Sequence, residues 1–124
     1  MRGGSGLTRG LHVLHADRDP TSRRLVGALL STAGHRVVSF ATAADLTAAL
    51  AAGPPPDVVL LALGEGLEPT GSAFAIAARH AALRLVCTTA AGVRDHDIVS
   101  LRAAGVTLLP VPCLARDLVE AVAG

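Results

Sequence analysis

The third apolar run of this sequence constrains most strongly what the chain can fold into. Residues Val58–Leu63 form a continuous apolar stretch, with prolines at 54–56 before it and Gly64 after it. A short run bounded in this way is typical of a strand that is buried on both faces. Such strands occur in parallel sheets that helices cover on both sides, so we expect an α/β fold.

Short apolar runs alternate with helical patterns along the rest of the chain. Five units of one strand and one helix predict a parallel sheet with right-handed crossovers. Because no Gly-rich dinucleotide fingerprint is present, we expect a flavodoxin-like (βα)5 three-layer sandwich with strand order 2-1-3-4-5. A site is then expected at the carboxyl ends of strands 1 and 3. The predicted strands are 11–16, 36–40, 58–63, 84–88 and 107–109, and the third and fourth helices are predicted at about 71–80 and 94–103.

The first two helices carry clear start signals. Asp19 before Pro20 supplies a side-chain acceptor at the N-cap and a preset φ at the first helical position. Thr42 with Asp45 three residues later is a variant of the capping box. Gly34 is the predicted residue after the first helix.

Composition excludes several classes of function. A net charge of +1 gives no electrostatic attraction to nucleic acid or to an anionic membrane, and 2% aromatic residues provide no stacking platform for single strands. No apolar run approaches the roughly 20 residues that span a bilayer. Residues 1–10 lack the apolar core of a signal peptide, so we expect a flexible leader before a domain at 11–124.

The chain has two cysteines, Cys87 and Cys113. They are too few for a zinc ribbon or a disulfide framework. Reduced, apolar thiols in a cytoplasmic protein are the simpler interpretation.

Four local signatures together resemble the receiver domain of bacterial two-component response regulators. They occur in the family's order and spacing and are Ala16-Asp17-Arg18-Asp19-Pro20, Pro56-Asp57, Thr89-Ala90 and Val111-Pro112. The similarity extends over about residues 11–122. It implies the flavodoxin-like fold and a role in signal transduction or a phosphorelay.

The family's phosphorylation chemistry needs several groups at once. An acidic pair after strand one holds Mg²⁺, and an aspartate after strand three accepts the phosphoryl group. A Thr or Ser after strand four and a Lys after strand five hold the phosphoryl oxygens. A carboxylate nucleophile meets an anionic donor only where cations offset the repulsion.

The resemblance implies that this chain keeps little of that pocket. Asp17 falls on the first acidic position, but Arg18 stands on the second. Ala62 occupies the position of the phosphoacceptor, Thr89 matches the hydroxyl, and Val111 replaces the lysine. We therefore expect a non-enzymatic pseudo-receiver with a degenerate pocket, no cofactor, and Mg²⁺ binding lost or weak. Arg18 is expected beside Asp17 as its ionic partner.

With phosphorylation lost, the family's usual partner surface is the best remaining candidate for function. It is formed by the fourth helix, the fifth strand and the fifth helix, and here it includes Leu101, Arg102, Leu108 and Arg116. The other charged residues of this region, among them Asp97, are interpreted as solvated. We expect a protein partner, either an output domain or a second copy in a homodimer, and neither nucleic acid nor membrane.

Three other interpretations stay open. The domain can be a flavodoxin-like module that binds a small ligand or anion at the strand ends. It can be a receiver whose acceptor has shifted to Glu65 or Glu68, just after the third strand. The chain can also be a piece of a longer regulator, although its end soon after the last helical pattern favours no following output domain.

The five histidines lack the helical spacing of a metal site. Of these, His15 lies nearest the strand ends and can line the residual pocket. The other four are interpreted as surface or packing residues: His12, His35, His80 and His96.

Overall fold

The computed structural model of the protein describes residues 10–64 and 68–124. These residues form five βα units in chain order: β1 His12–Ala16, α1 Pro20–Thr32, β2 Arg36–Phe40, α2 Ala43–Ala52, β3 Val58–Leu63, α3 Glu68–Arg79, β4 Arg84–Thr89, α4 Asp95–Ala103, β5 Thr107–Pro110 and α5 Ala115–Ala123. All strand pairs are parallel, and the strand order is β2-β1-β3-β4-β5. The predicted flavodoxin-like topology is therefore confirmed. Most of the predicted leader, residues 1–9, lies outside the described residues.

The boundaries differ from the sequence-based expectation mainly at α3. This helix begins at Glu68, three residues earlier than predicted. The acidic Glu68 in the first turn interacts favourably with the positive end of the helix dipole. The ring of Pro69, the next residue, fixes φ at the value that the start of a helix requires. Part of the segment predicted as a loop is therefore helical.

The sheet divides the apolar core into two layers. On one face, side chains of β1, β3 and β4 pack against α2, α3 and α4. On the other face, alternate residues of the same strands pack against α1 and α5. Val58–Leu61 of β3 are all at most 1% exposed, so β3 is the strand buried on both faces that the sequence predicted.

The predicted helix starts are present. The Asp19 carboxylate accepts hydrogen bonds from the backbone N–H groups of Thr21 and Ser22, both at 3.3 Å. Thr42 Oγ1 accepts one from the Asp45 N–H at 3.1 Å. These contacts satisfy N–H groups that have no partner within the helix.

Asp57 joins the beginnings of β1 and β3. Its N–H donates to the His12 carbonyl at 2.9 Å, and the His12 N–H donates to Asp57 Oδ2 at 2.8 Å. The aspartate of the Pro56-Asp57 signature thus has a structural role at the end of the sheet opposite the candidate site.

Arg84, at the start of β4, holds the end of α5. Its guanidinium donates to the Val122 carbonyl at 2.7 Å and to the Ala121 carbonyl. These carbonyls belong to the last helical turn, where a cation also interacts favourably with the helix dipole. Across the described ranges, no helix has the length and apolar character needed to cross a bilayer.

Candidate functional site

A cavity of about 960 Å³ opens at the carboxyl ends of the central strands and extends between α1 and α5. Its floor comes from β1, β3 and β4, and its walls come from the two helices. The lining residues on which the site depends are His15, Asp17, Arg18, Leu25, Leu29, Ala62, Thr88, Val111, Cys113, Leu114 and Leu118. This is the position at which a sheet of this strand order is expected to carry a site.

Four of the five predicted pocket residues line this cavity: Asp17, Arg18, Ala62 and Val111. The fifth, Thr89, does not. Successive strand residues point to opposite faces, and Thr88 is the cross-strand partner of Ala62. Thr88 therefore lines the cavity. Thr89 is buried and lies on the same face of β4 as Cys87, which belongs to the other core layer.

Asp17 is held by a backbone N–H group and by the side chain of Arg23, and not by the expected Arg18. Its Oδ1 accepts a hydrogen bond from the Asp19 N–H at 2.9 Å, and its carbonyl accepts one from Arg23 Nη1 at 2.7 Å. In the described chain, no salt bridge joins Asp17 to Arg18, whose side chain is exposed. The prediction of an ion pair between Asp17 and Arg18 was wrong. The carboxylate of Asp17 instead accepts a hydrogen bond from a backbone N–H group in the turn that leads into α1.

His15 contributes a buried polar ring to the cavity floor. Its side chain is 1% exposed, and Nδ1 lies 3.1 Å from Ser39 Oγ on the neighbouring strand β2. The pKa of His15 is lowered from 6.5 to about 4, mainly by burial; the negative charge of Asp17 partly opposes this effect, and the positive charge of Arg23 adds to it. The imidazole is therefore neutral near pH 7.

The described carboxylates at the cavity leave few free oxygen ligands for a Mg²⁺ ion. Magnesium prefers six oxygen ligands in near-octahedral geometry. Asp19 already accepts two helix N–H groups, and Ala62 supplies no oxygen from its side chain. Within residues 10–64 and 68–124, no three His, Cys, Asp or Glu side chains are grouped so that they could hold a metal ion. The residues present therefore do not fit the metal of the receiver reaction.

The apolar walls of the cavity were not predicted from the sequence. Leu25 has the spacing of the apolar stripe of α1, yet it is 66% exposed, and Leu114 of the loop before α5 is 56% exposed. Val111 is also 37% exposed at the cavity rim. Periodicity identified the apolar stripe of α1, but it does not tell which part of a stripe a neighbouring helix covers.

The predicted interaction surface needs two corrections. Leu101 is fully buried in the core, so it does not belong to a surface of the folded domain. Asp97 was interpreted as solvated, but it is buried and paired with Arg94 at 3.0 Å. Arg102 and Arg116 are exposed, as that surface requires, and Leu108 is half-buried.

The structure is similar to solved receiver domains. A response regulator receiver domain protein from Clostridium thermocellum aligns with a TM-score of 0.80 and 19% identity, covering 90% of both chains. A CheY-like receiver domain protein from Methanospirillum hungatei JF-1 aligns with a TM-score of 0.73 and 25% identity, also covering 90% of both. The protein has the receiver-domain fold.

The same fold also occurs as part of a longer chain. NtrX from Brucella abortus, solved in complex with ADP, aligns with a TM-score of 0.76 and 24% identity over 92% of this chain and 26% of NtrX. No protein-family model matches the sequence, and the comparison with curated proteins finds no significant match. The likeness is thus one of fold, and the function must be argued from the site.

Proposed function

We propose that this protein is a pseudo-receiver, a signalling module that works through protein contacts and is not switched by aspartyl phosphorylation. The main support for the proposal is the position of Ala62. This residue lies at the carboxyl end of β3, lines the strand-end cavity, and presents a methyl group where a receiver needs its nucleophile.

The surroundings of Ala62 support the same conclusion. Phosphoryl transfer to a carboxylate needs cations that offset the charge of the donor and of the transferred group. Val111 places an apolar side chain at the position of the lysine, and the carboxylates of Asp17 and Asp19 are engaged with backbone N–H groups. Among the described lining residues, the carboxylate nucleophile and the lysine are therefore absent, and the remaining carboxylates are already engaged.

A shifted acceptor is the competing chemical function. Glu68 is exposed in the first turn of α3, and Glu65 lies outside the described residues. Treatment with acetyl phosphate and Mg²⁺ separates the two functions. We expect the intact mass of the protein to stay unchanged, whereas a gain of one phosphoryl group would favour a glutamate acceptor.

The partner surface can be tested independently. Arg102→Glu and Arg116→Glu reverse exposed charges on α4 and α5, and Arg79→Glu reverses an exposed charge on α3 as the matched control. We expect the first two variants to lose partner recovery in pull-downs from the native host, or self-association in light scattering, while the control keeps it. If all three behave like the wild type, the interaction surface lies elsewhere.

Two-component-type signalling is the setting that the receiver fold favours, with an output domain or a second copy as the partner. A cytoplasmic location follows from that setting. Regulation would then depend on the supply of the partner, or on a ligand, since the phosphoryl switch is missing.

A further inference from the structure

The cleft between α1 and α5 has properties that a signalling contact on α4 and α5 does not explain. Its volume of about 960 Å³ lies at the upper end of the range of small-molecule sites, about 300–1,000 Å³. Its lining extends from the strand ends to Leu29 of α1 and Leu118 of α5, so it is larger than a pocket for one phosphoryl group needs to be.

Apolar side chains form both walls of this cleft. Leu25 and Leu29 of α1 line one wall. The other wall contains Leu114, which directly precedes α5, and Leu118 of α5. Leu25 and Leu114, at the rims, are more than half exposed. Their apolar surface leaves water only when something fills the space between the two helices.

The floor of the cleft presents a buried polar atom. His15 is 1% exposed and pairs through Nδ1 with Ser39 Oγ, whereas its Nε2 has no hydrogen-bond partner among residues 10–64 and 68–124. Buried polar side-chain atoms are nearly always hydrogen-bonded in folded proteins. The free ring nitrogen therefore calls for a partner from outside the described chain, and His15 is among the residues that line the cavity.

We propose that the cleft binds one small, uncharged, largely apolar molecule that forms a hydrogen bond with His15. An anionic ligand is disfavoured because two carboxylates, those of Asp17 and Asp19, line the cavity against one guanidinium, that of Arg18. A cationic ligand is disfavoured because its charge would lose water against the apolar walls, while the carboxylates at the mouth already accept backbone N–H groups. The inference goes beyond the proposed pseudo-receiver function, and it holds whether or not the protein accepts phosphate.

Nile red is a suitable probe because it is planar, uncharged, carries a carbonyl group, and becomes fluorescent in apolar surroundings. We expect a saturable fluorescence increase with one equivalent bound per chain. Ala62→Leu places a larger side chain in the cavity and is expected to weaken binding at least about tenfold. Val99→Ser removes an apolar residue that is 65% exposed on α4, away from the cleft, and should leave binding unchanged.

The hydrogen bond to His15 has its own test. His15→Leu keeps the volume and removes the polar atom, so the affinity for Nile red is expected to fall about fivefold. Ser39→Ala is the matched control, because it alters the Nδ1 partner on β2 and leaves Nε2 in place.

Cys113 gives a second measurement that needs no cavity-filling variant. Its half-buried thiol lines the cleft, while Cys87 is buried in the opposite core layer. Nile red is expected to slow the reaction of Cys113 with a thiol reagent in the wild-type protein. This result decides the question even if Ala62→Leu does not fold, as judged by its thermal unfolding.

Several outcomes would overturn the proposal. The first is no saturable Nile red signal together with no protection of Cys113. The second is an equal loss of binding in Val99→Ser and Ala62→Leu, which would indicate general surface adsorption. The third is unaltered affinity in His15→Leu. The fourth is thermal stabilisation by inorganic phosphate without any binding of Nile red, which would indicate an anion site instead.

Discussion

Ala62 and Thr88 are cross-strand partners on β3 and β4, and both line the cavity at the carboxyl ends of the strands. The centre of the site is therefore a methyl group beside a hydroxyl group. Neither provides the carboxylate that phosphoryl transfer in a receiver domain requires. This pairing is the structural basis of our proposal that the protein has the receiver fold without the receiver reaction.

Asp57 is expected to stabilise the sheet at the end opposite the site. Asp57→Ala removes the acceptor of the His12 N–H and should lower the free energy of unfolding by about 1 kcal/mol. Asp57→Asn keeps an oxygen acceptor and should retain most of the stability. Urea unfolding followed by circular dichroism gives both values, and equal losses in the two variants would contradict the hydrogen-bond explanation.

Arg84 is expected to hold the last turn of α5 against the sheet. Arg84→Ala leaves the carbonyls of Ala121 and Val122 without this donor and should cost about 1–2 kcal/mol of unfolding free energy. Arg84→Lys keeps the charge but cannot reach both carbonyls with a planar fork, so an intermediate loss is expected. Arg36→Ala, an exposed arginine on β2, serves as the control and should stay near wild-type stability.

The stability of the protein should depend on pH through His15. Its pKa is lowered from 6.5 to about 4 in the folded protein, so the unfolded chain binds more protons between these values. Stability therefore rises with pH from about 4 to 6.5, and as the pH falls through this window His15 costs up to about 3 kcal/mol. His15→Gln does not titrate, so its unfolding free energy should show a smaller loss than the wild type over the same window. Parallel losses in the two proteins would contradict this assignment.

The two thiols should differ sharply in reactivity. Burial raises the pKa of Cys87 to about 12, so it has almost no thiolate at neutral pH, whereas Cys113 is half-buried at the cleft. We expect one fast-reacting thiol in the folded protein and two in denaturant, with Cys113→Ser removing the fast one. A fast reaction that persists in this variant would show that the α1–α5 face is not arranged as described.

The sheet could be predicted because its signals are local. Val58–Leu63 is apolar at every position, and Asp19-Pro20 and Thr42 mark helix starts by chemistry that acts over three or four residues. Such patterns predict the structure well because the contacts that they require are made by residues close in the sequence. The pocket residues Asp17 and Ala62 were located through strand ends of this kind.

The remaining features depend on contacts between distant elements. Thr88 and not Thr89 faces Ala62 because of the register between β3 and β4, which the sequence of either strand does not specify. Leu25 is 66% exposed, although its spacing on α1 is that of the apolar stripe. The apolar walls of the cleft and the burial of Asp97 arise in the same way, so sequence patterns alone could not identify them, whereas His15 was placed at the pocket from its position near a strand end.

The most direct test of the account is phosphoryl transfer measured by intact-mass spectrometry. Wild-type protein is incubated with acetyl phosphate and Mg²⁺ beside a triple variant, Arg18→Asp, Ala62→Asp and Val111→Lys, that restores the missing groups of a receiver pocket. We predict no mass increase in the wild type and a gain of one phosphoryl group in the triple variant. A phosphorylated wild-type species would contradict the account, whichever residue proved to be the acceptor.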